Sequence, residues 1–215
     1  LRASAPVLRR SWKILVVLGI LGVGNFNLLV YVGLESTTAT NALLLNSACP
    51  AFILALTFAA GLGRASPRQL AGITRSLLGV VTIVARGAPE ALLTVSFARG
   101  DLWVLAAVLS WAVYTILLSR RPAGLEPLAL LTVLVLVGLL WISPFYAWEL
   151  AGGAHLRLDL VSVGAILYVA LLASIAAYGL WNEGVARIGA SRAGVFLHLM
   201  PAFGSVLAAI VLGES

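Results

Sequence analysis

Charge is what this chain of 215 residues has least of, with only 10% of its residues Asp, Glu, Lys or Arg. A soluble domain carries about a quarter. The shortage excludes an ordinary soluble domain, because one soluble core cannot absorb a sequence that is 61% hydrophobic with a mean hydropathy of +1.07. Cysteine is nearly absent too. Cys49 stands alone, so an intrachain disulfide is excluded, and no CxxC or Cys/His cluster is present to hold a metal. There is no GxxxxGK[ST] to cradle the phosphates of ATP, and no HExxH or paired aspartates to run an intramembrane hydrolysis. The formal charge of +6 does not point to nucleic acid, because no basic stripe interleaves with aromatics. No cofactor is expected.

What the chain does have is long apolar runs. A membrane-spanning helix needs about 20 mostly apolar residues. Seven segments qualify: 14–34, 39–62, 69–86, 101–119, 127–148, 160–182 and 190–212. The expected fold class is therefore an all-α polytopic membrane protein, with the lipid bilayer as its surroundings. The gaps are short and carry the punctuation, as in "GLGRASPRQ" and "SRRPAGLEP".

Lys and Arg give direction. Eleven fall on one side, namely Arg2, Arg9, Arg10, Lys13, Arg64, Arg68, Arg75, Arg120, Arg121, Arg187 and Arg192. Three, Arg86, Arg99 and Arg157, fall on the other. The richer side is expected to be cytoplasmic, which puts residue 1 inside. Residues 1–13 then read as a cytoplasmic basic segment, and the run that follows is too long for a signal-peptide core.

Two prolines raise the question of internal symmetry. "NSACPAFILAL" and "LHLMPAFGSVL" share Pro-Ala-Phe at an offset of 151 residues, once in the second span and once in the seventh. The offset aligns 31–64 with 182–215 at seven identical positions, against roughly three from composition alone. The two spans lie an odd number of spans apart, so the copies cross the membrane in opposite directions. That is an inverted-topology repeat, with five helices per unit. On this reading 14–86 ends the first repeat and 101–215 holds most of the second. Ten helices are expected in the whole protein, with seven in this fragment, two before it and one after it.

The stretches "FNLLVYVGLESTTATNALLLNSACPAFILAL", "GDLWVLAAVLSWAVYTILLSR" and "AYGLWNEGVARIGASRAGVFLHLMPAFGSVLAAIVLGE" resemble the EamA-type branch of the drug/metabolite transporter superfamily, over about residues 14 to 214. The resemblance implies ten helices in two inverted five-helix repeats, these spans being helices three to nine. It implies a bacterial inner-membrane carrier, most often an exporter or importer of amino acids and other small metabolites. Glu214, in "LGE", matches a recurrent family position.

Candidate site residues follow from the prolines. Pro50 has no N–H for the carbonyl of Asn46, and Pro201 has none for Leu197. In lipid such a carbonyl needs another partner or a wet cavity. The turns before them hold Asn46, Ser47 and His198, with Ser47 and His198 equivalent under the offset. Two loosened polar turns meeting near the midplane are where inverted-repeat carriers bind substrate. Kinks that only shape the bundle are the alternative. His198 is the one histidine within a span. It is read either as a hydrogen-bonded structural group or, more sharply, as a proton-coupling one.

Asn27 and Tyr31 share a helix face, as do Ser110 and Tyr114, and Tyr178 and Asn182. These eleven residues, Pro50 and Pro201 included, are the expected substrate-binding set. Trp103, Trp141, Trp148 and Trp181 read as interface belt. Glu183 reads as a partner of Arg187, four residues on. Gly19, Gly22, Ala106, Ala107, Ala173, Ala176 and Ala177 read as helix-packing positions. The function expected is a secondary transporter, an exporter, of small metabolites by alternating access around a central cavity. A channel or a non-transporting scaffold is the alternative, and an intramembrane enzyme is the weakest reading. The sequence leaves assembly open, a homodimer included.

Overall fold

Backbone N–H and C=O groups in lipid must be satisfied within the chain, so these apolar runs have to be helical. A computed structural model describes residues 5–62, 66–84, 98–122, 124–153, 155, 159–200 and 203, and every regular element among them is a helix. A short α1 (Ala5–Arg10) leads into α2 (Trp12–Leu34). The second span is split into α3 (Ala39–Asn46) and α4 (Cys49–Ala59). Then come α5 (Pro67–Val84), α6 (Arg99–Leu118), α7 (Pro127–Ala151), α8 (Leu160–Ile188) and α9 (Ala190–Val195). A single tight 3-10 turn, Phe196–His198, follows α9.

Among the described residues five helical stretches are long and apolar enough to cross a membrane: Trp12–Leu34, Asn41–Ala59, Arg99–Leu118, Pro127–Ala151 and Leu160–Ile188. They correspond to five of the seven expected spans. The span expected at 69–86 is met by α5, which is not among the five, because Arg68, Gln69 and Arg75 dilute its apolar run. Of the span expected at 190–212, residues 201, 202 and 204–212 lie outside the described residues.

α6 is the centre of the bundle, packed against α2, α3, α4 and α8. Val104, Val108 and Tyr114 from α6 are buried with Leu15, Leu18, Leu130 and Leu134 from α2 and α7. Small residues set this approach. A Cβ on Gly19 would stand 2.6 Å from Val137, and one on Gly22 would stand 2.5 Å from the Tyr114 ring. α8 differs, since no residue of Leu160–Tyr168 or Val169–Ala176 is buried. Ala173, Ala176 and Ala177, read as packing positions, stand on that exposed face.

Asp101, in the first turn of α6, ties one end of the bundle together. Its carboxylate is 3% exposed. It accepts from the Ala98 N–H at 2.8 Å, from Asn41 Nδ2 at 3.4 Å and from the Thr37 hydroxyl. A carboxylate there also suits the positive end of the helix dipole.

Candidate functional site

α2 is not a uniform α-helix. Its middle, Gly19–Asn25, winds as a π-helix, and the Phe26 N–H reaches back five residues to the Leu21 carbonyl. A wider turn leaves carbonyl oxygens open to side chains. Three successive ones are used. Leu21 O accepts from Ser110 Oγ at 2.9 Å, Gly22 O from Tyr178 OH at 2.7 Å, and Val23 O from Asn27 Nδ2 at 2.8 Å. Asn27 Nδ2 also reaches Tyr178 OH at 3.1 Å. One turn further along α8, Tyr114 OH donates to Asn182 Oδ1 at 2.5 Å. The Asn182 carbonyl accepts from Arg121 at 3.5 Å. Five of the expected site residues, Asn27, Ser110, Tyr114, Tyr178 and Asn182, thus meet in one layer between α2, α6 and α8.

Trp111 closes the layer with aromatic carbon. Its ring lies 4.7 Å from Phe26, 5.2 Å from Tyr114, 5.3 Å from Tyr178 and 5.6 Å from Trp181. Trp181 therefore sits in this cluster rather than in an interface belt. Trp141 donates to Asn25 Oδ1 at 2.8 Å but remains exposed, as do Trp103 and Trp148.

The proline turns form a second group. α3 ends at Asn46 and α4 begins at Cys49, so the helix breaks just before Pro50. The Ala48 N–H turns to Leu45 O, and Ser47 Oγ bonds Leu44 O at 2.6 Å in its place. Before Pro201 the chain tightens into the turn Phe196–His198, while Pro201 itself lies outside the described residues. The two turns are near each other, with Asn46 Nδ2 3.8 Å from Met200 Sδ and Ile53 packed on Gly194. Ser47 is 4% exposed and His198 8%. Tyr31 is 58% exposed. The expected Glu183–Arg187 pair forms at 2.7 Å on the surface.

Several polar atoms in these groups have no partner among the described residues: Asn182 Nδ2, Trp181 Nε1, Thr115 Oγ1 and both ring nitrogens of His198. Each unpaired buried group costs about 1–3 kcal/mol. An open apolar groove of about 410 Å³ runs between α8 and α9, past Trp181, Gly184, Ala193 and Phe196. No three His, Cys, Asp or Glu side chains gather to hold a metal among the described residues.

Sequence reasoning missed Trp111, whose mid-span position fits no belt, and Asp101, which was taken only as a span boundary. It also missed the carbonyls of Leu21, Gly22 and Val23, which no proline marks. Arg121 was read for topology alone.

A bundle of long apolar helices with a polar layer inside is the architecture of an all-α polytopic membrane protein. The model of the EamA-like transporter family matches residues 2–85 and 98–215, and the chain belongs to that family. It is 28% identical to the uncharacterized transporter YyaM of Bacillus subtilis (strain 168), over 90% of this chain and 64% of that one. It is 30% identical to an uncharacterized transporter of Archaeoglobus fulgidus, over 95% of this chain and 69% of that one. A probable amino-acid metabolite efflux pump of Salmonella typhimurium (strain LT2) is 28% identical, over 71% of this chain and 52% of the pump. The chain spans 61 to 69% of the length of YyaM, the Archaeoglobus protein and YetK of Bacillus subtilis. A solved crystal structure shares the fold, with a TM-score of 0.73 at 18% identity, over 98% of this chain and 74% of that one.

Proposed function

We propose that this chain is the larger part of a secondary transporter that exports small metabolites, amino acids among them, across a bacterial inner membrane by alternating access. One observation carries the reading: among the described residues, polar atoms of Asn182, Trp181 and His198 have no partner inside an apolar bundle. Such groups are retained where a ligand or water completes them. Family membership supports transport, and the pump name borne by one relative supports amino acids. The polar layer offers neutral donors beside the aromatic faces of Trp111 and Trp181, which suits zwitterionic or amphipathic solutes.

The test is counterflow by the complete reading frame in proteoliposomes, with a panel of labelled amino acids. Saturable counterflow of one class is expected. Tyr178→Ala and His198→Ala should each lower it about tenfold or more, the equivalent of one lost hydrogen-bonded contact. Flux that rises linearly with concentration would indicate a pore, and no flux across the panel would count against metabolite export.

A further inference from the structure

Two structural coincidences fall on the sequence offset of 151. The π-helical stretch of α2, Gly19–Asn25, maps onto 170–176, and α8 winds as a π-helix over Val169–Ala176. Asn27 and Tyr178, themselves 151 residues apart, are hydrogen-bonded to each other. When two repeats are related by a local twofold axis, equivalent residues can touch only on that axis. The Asn27–Tyr178 bond therefore marks where the axis passes.

The bonding there is lopsided. Tyr178 crosses the axis and donates to Gly22 O in the π stretch of the other repeat. Asn27 instead bonds Val23 O in its own repeat. The equivalents of Gly22 and Val23 are Ala173 and Ser174. Applying the twofold operation gives a second arrangement, in which Asn27 crosses to Ala173 O and Tyr178 releases Gly22 O. Inverted-repeat carriers reach their opposite-facing state by exchanging the conformations of the two repeats.

We infer that Asn27 and Tyr178 are the positioning pair that sets which side of the carrier is open, the crossing hydrogen bond passing from Tyr178–Gly22 to Asn27–Ala173 as the protein turns over. The inference rests on the carrier reading above. The residues are unequal by design of the sequence. The long tyrosine spans the axis to a carbonyl at 2.7 Å, and the shorter asparagine reaches less far. The inequality biases the resting protein towards the arrangement seen. Exchanging the two side chains should reverse the bias.

The experiment uses the complete protein in lipid nanodiscs and measures distances between spin labels. Glu35→Cys with Leu160→Cys reports one end of α2 and α8, and Trp12→Cys with Ile188→Cys reports the other. All four positions are exposed, and the native Cys49 is fully buried. Asn27→Tyr with Tyr178→Asn is expected to exchange which end is closed, shortening one distance as the other lengthens. Tyr178→Phe, which keeps the ring and loses both bonds, is expected to populate both arrangements at each end. Unchanged distance distributions in the folded exchange variant would overturn the inference. Should that variant not fold, a Tyr178→Phe distribution identical to wild type would do the same. Counterflow by the wild type is scored separately, so failure of the carrier reading and failure of this pair are told apart.

Discussion

At the Tyr114 hydroxyl the cost of a single atom can be weighed. The ring fills the space left by Gly22 and packs at a tilt against Trp111, while the hydroxyl donates to Asn182. Tyr114→Phe keeps the packing and leaves Asn182 Oδ1 without its donor, on an amide whose Nδ2 already has no partner among the described residues. The expected loss is about 1–2 kcal/mol, at the upper end of hydrogen bonds between membrane helices. Unfolding in mixed detergent micelles reads it, and a double-mutant cycle with Asn182→Ala should show the two losses to be non-additive. Equal, additive losses would mean that the pair is not coupled. This pair was legible in the sequence because helical spacing puts Ser110 with Tyr114 and Tyr178 with Asn182 on common faces. The same rule also selected Tyr31, which is exposed, because spacing names a face and not what covers it. Trp111 escaped because its importance lies in four neighbours from three helices, a property of packing that no local pattern encodes.

Among the elements, the broken second span is the one whose cause can be tested directly. Proline explains the break: with no N–H at position 50, the turn before it loosens and Ser47 takes up Leu44 O. Pro50→Ala restores the donor for Asn46 O and should join α3 to α4. Hydrogen exchange over residues 46–50 is expected to slow by about fivefold, the equivalent of one net hydrogen bond of roughly 1 kcal/mol. Counterflow should fall at the same time, since the stiffened turn can no longer rearrange. Faster or unchanged exchange would place the cause of the break outside the proline. The break was readable from Asn46, Ser47 and Pro50. The π-helical stretch of α2 was not, because carbonyls of Leu21 and Gly22 find their partners on α6 and α8. Gly19, Gly22 and Gly24 permit that winding and close contact, but glycine alone does not demand it.

For the whole molecule, charge and geometry give the same antiparallel order by independent routes. Arg121 follows α6 and bonds the carbonyl of Asn182 near the end of α8, so the C-terminal ends of these two helices share one face of the bundle. The basic residues Arg120, Arg121, Arg187 and Arg192 all collect there. Arg99 begins α6 at the opposite end, where Asp101 holds Thr37 and Asn41. Five of the seven expected spans were legible because lipid imposes length and apolarity on every crossing. The weakest of the seven was 69–86, where Arg68 in the first turn of α5 and Arg75 at its middle leave fewer apolar residues for the crossing itself. Orientation follows from where those cations stop, since Lys and Arg near the ends of short loops resist translocation. In the complete protein a fluorescent-protein reporter inserted after Arg121 should therefore glow in the cytoplasm, and alkaline phosphatase inserted at Gly152 should be active outside. Inverted reporters at both sites would reverse the membrane orientation while leaving every contact within the bundle as it is.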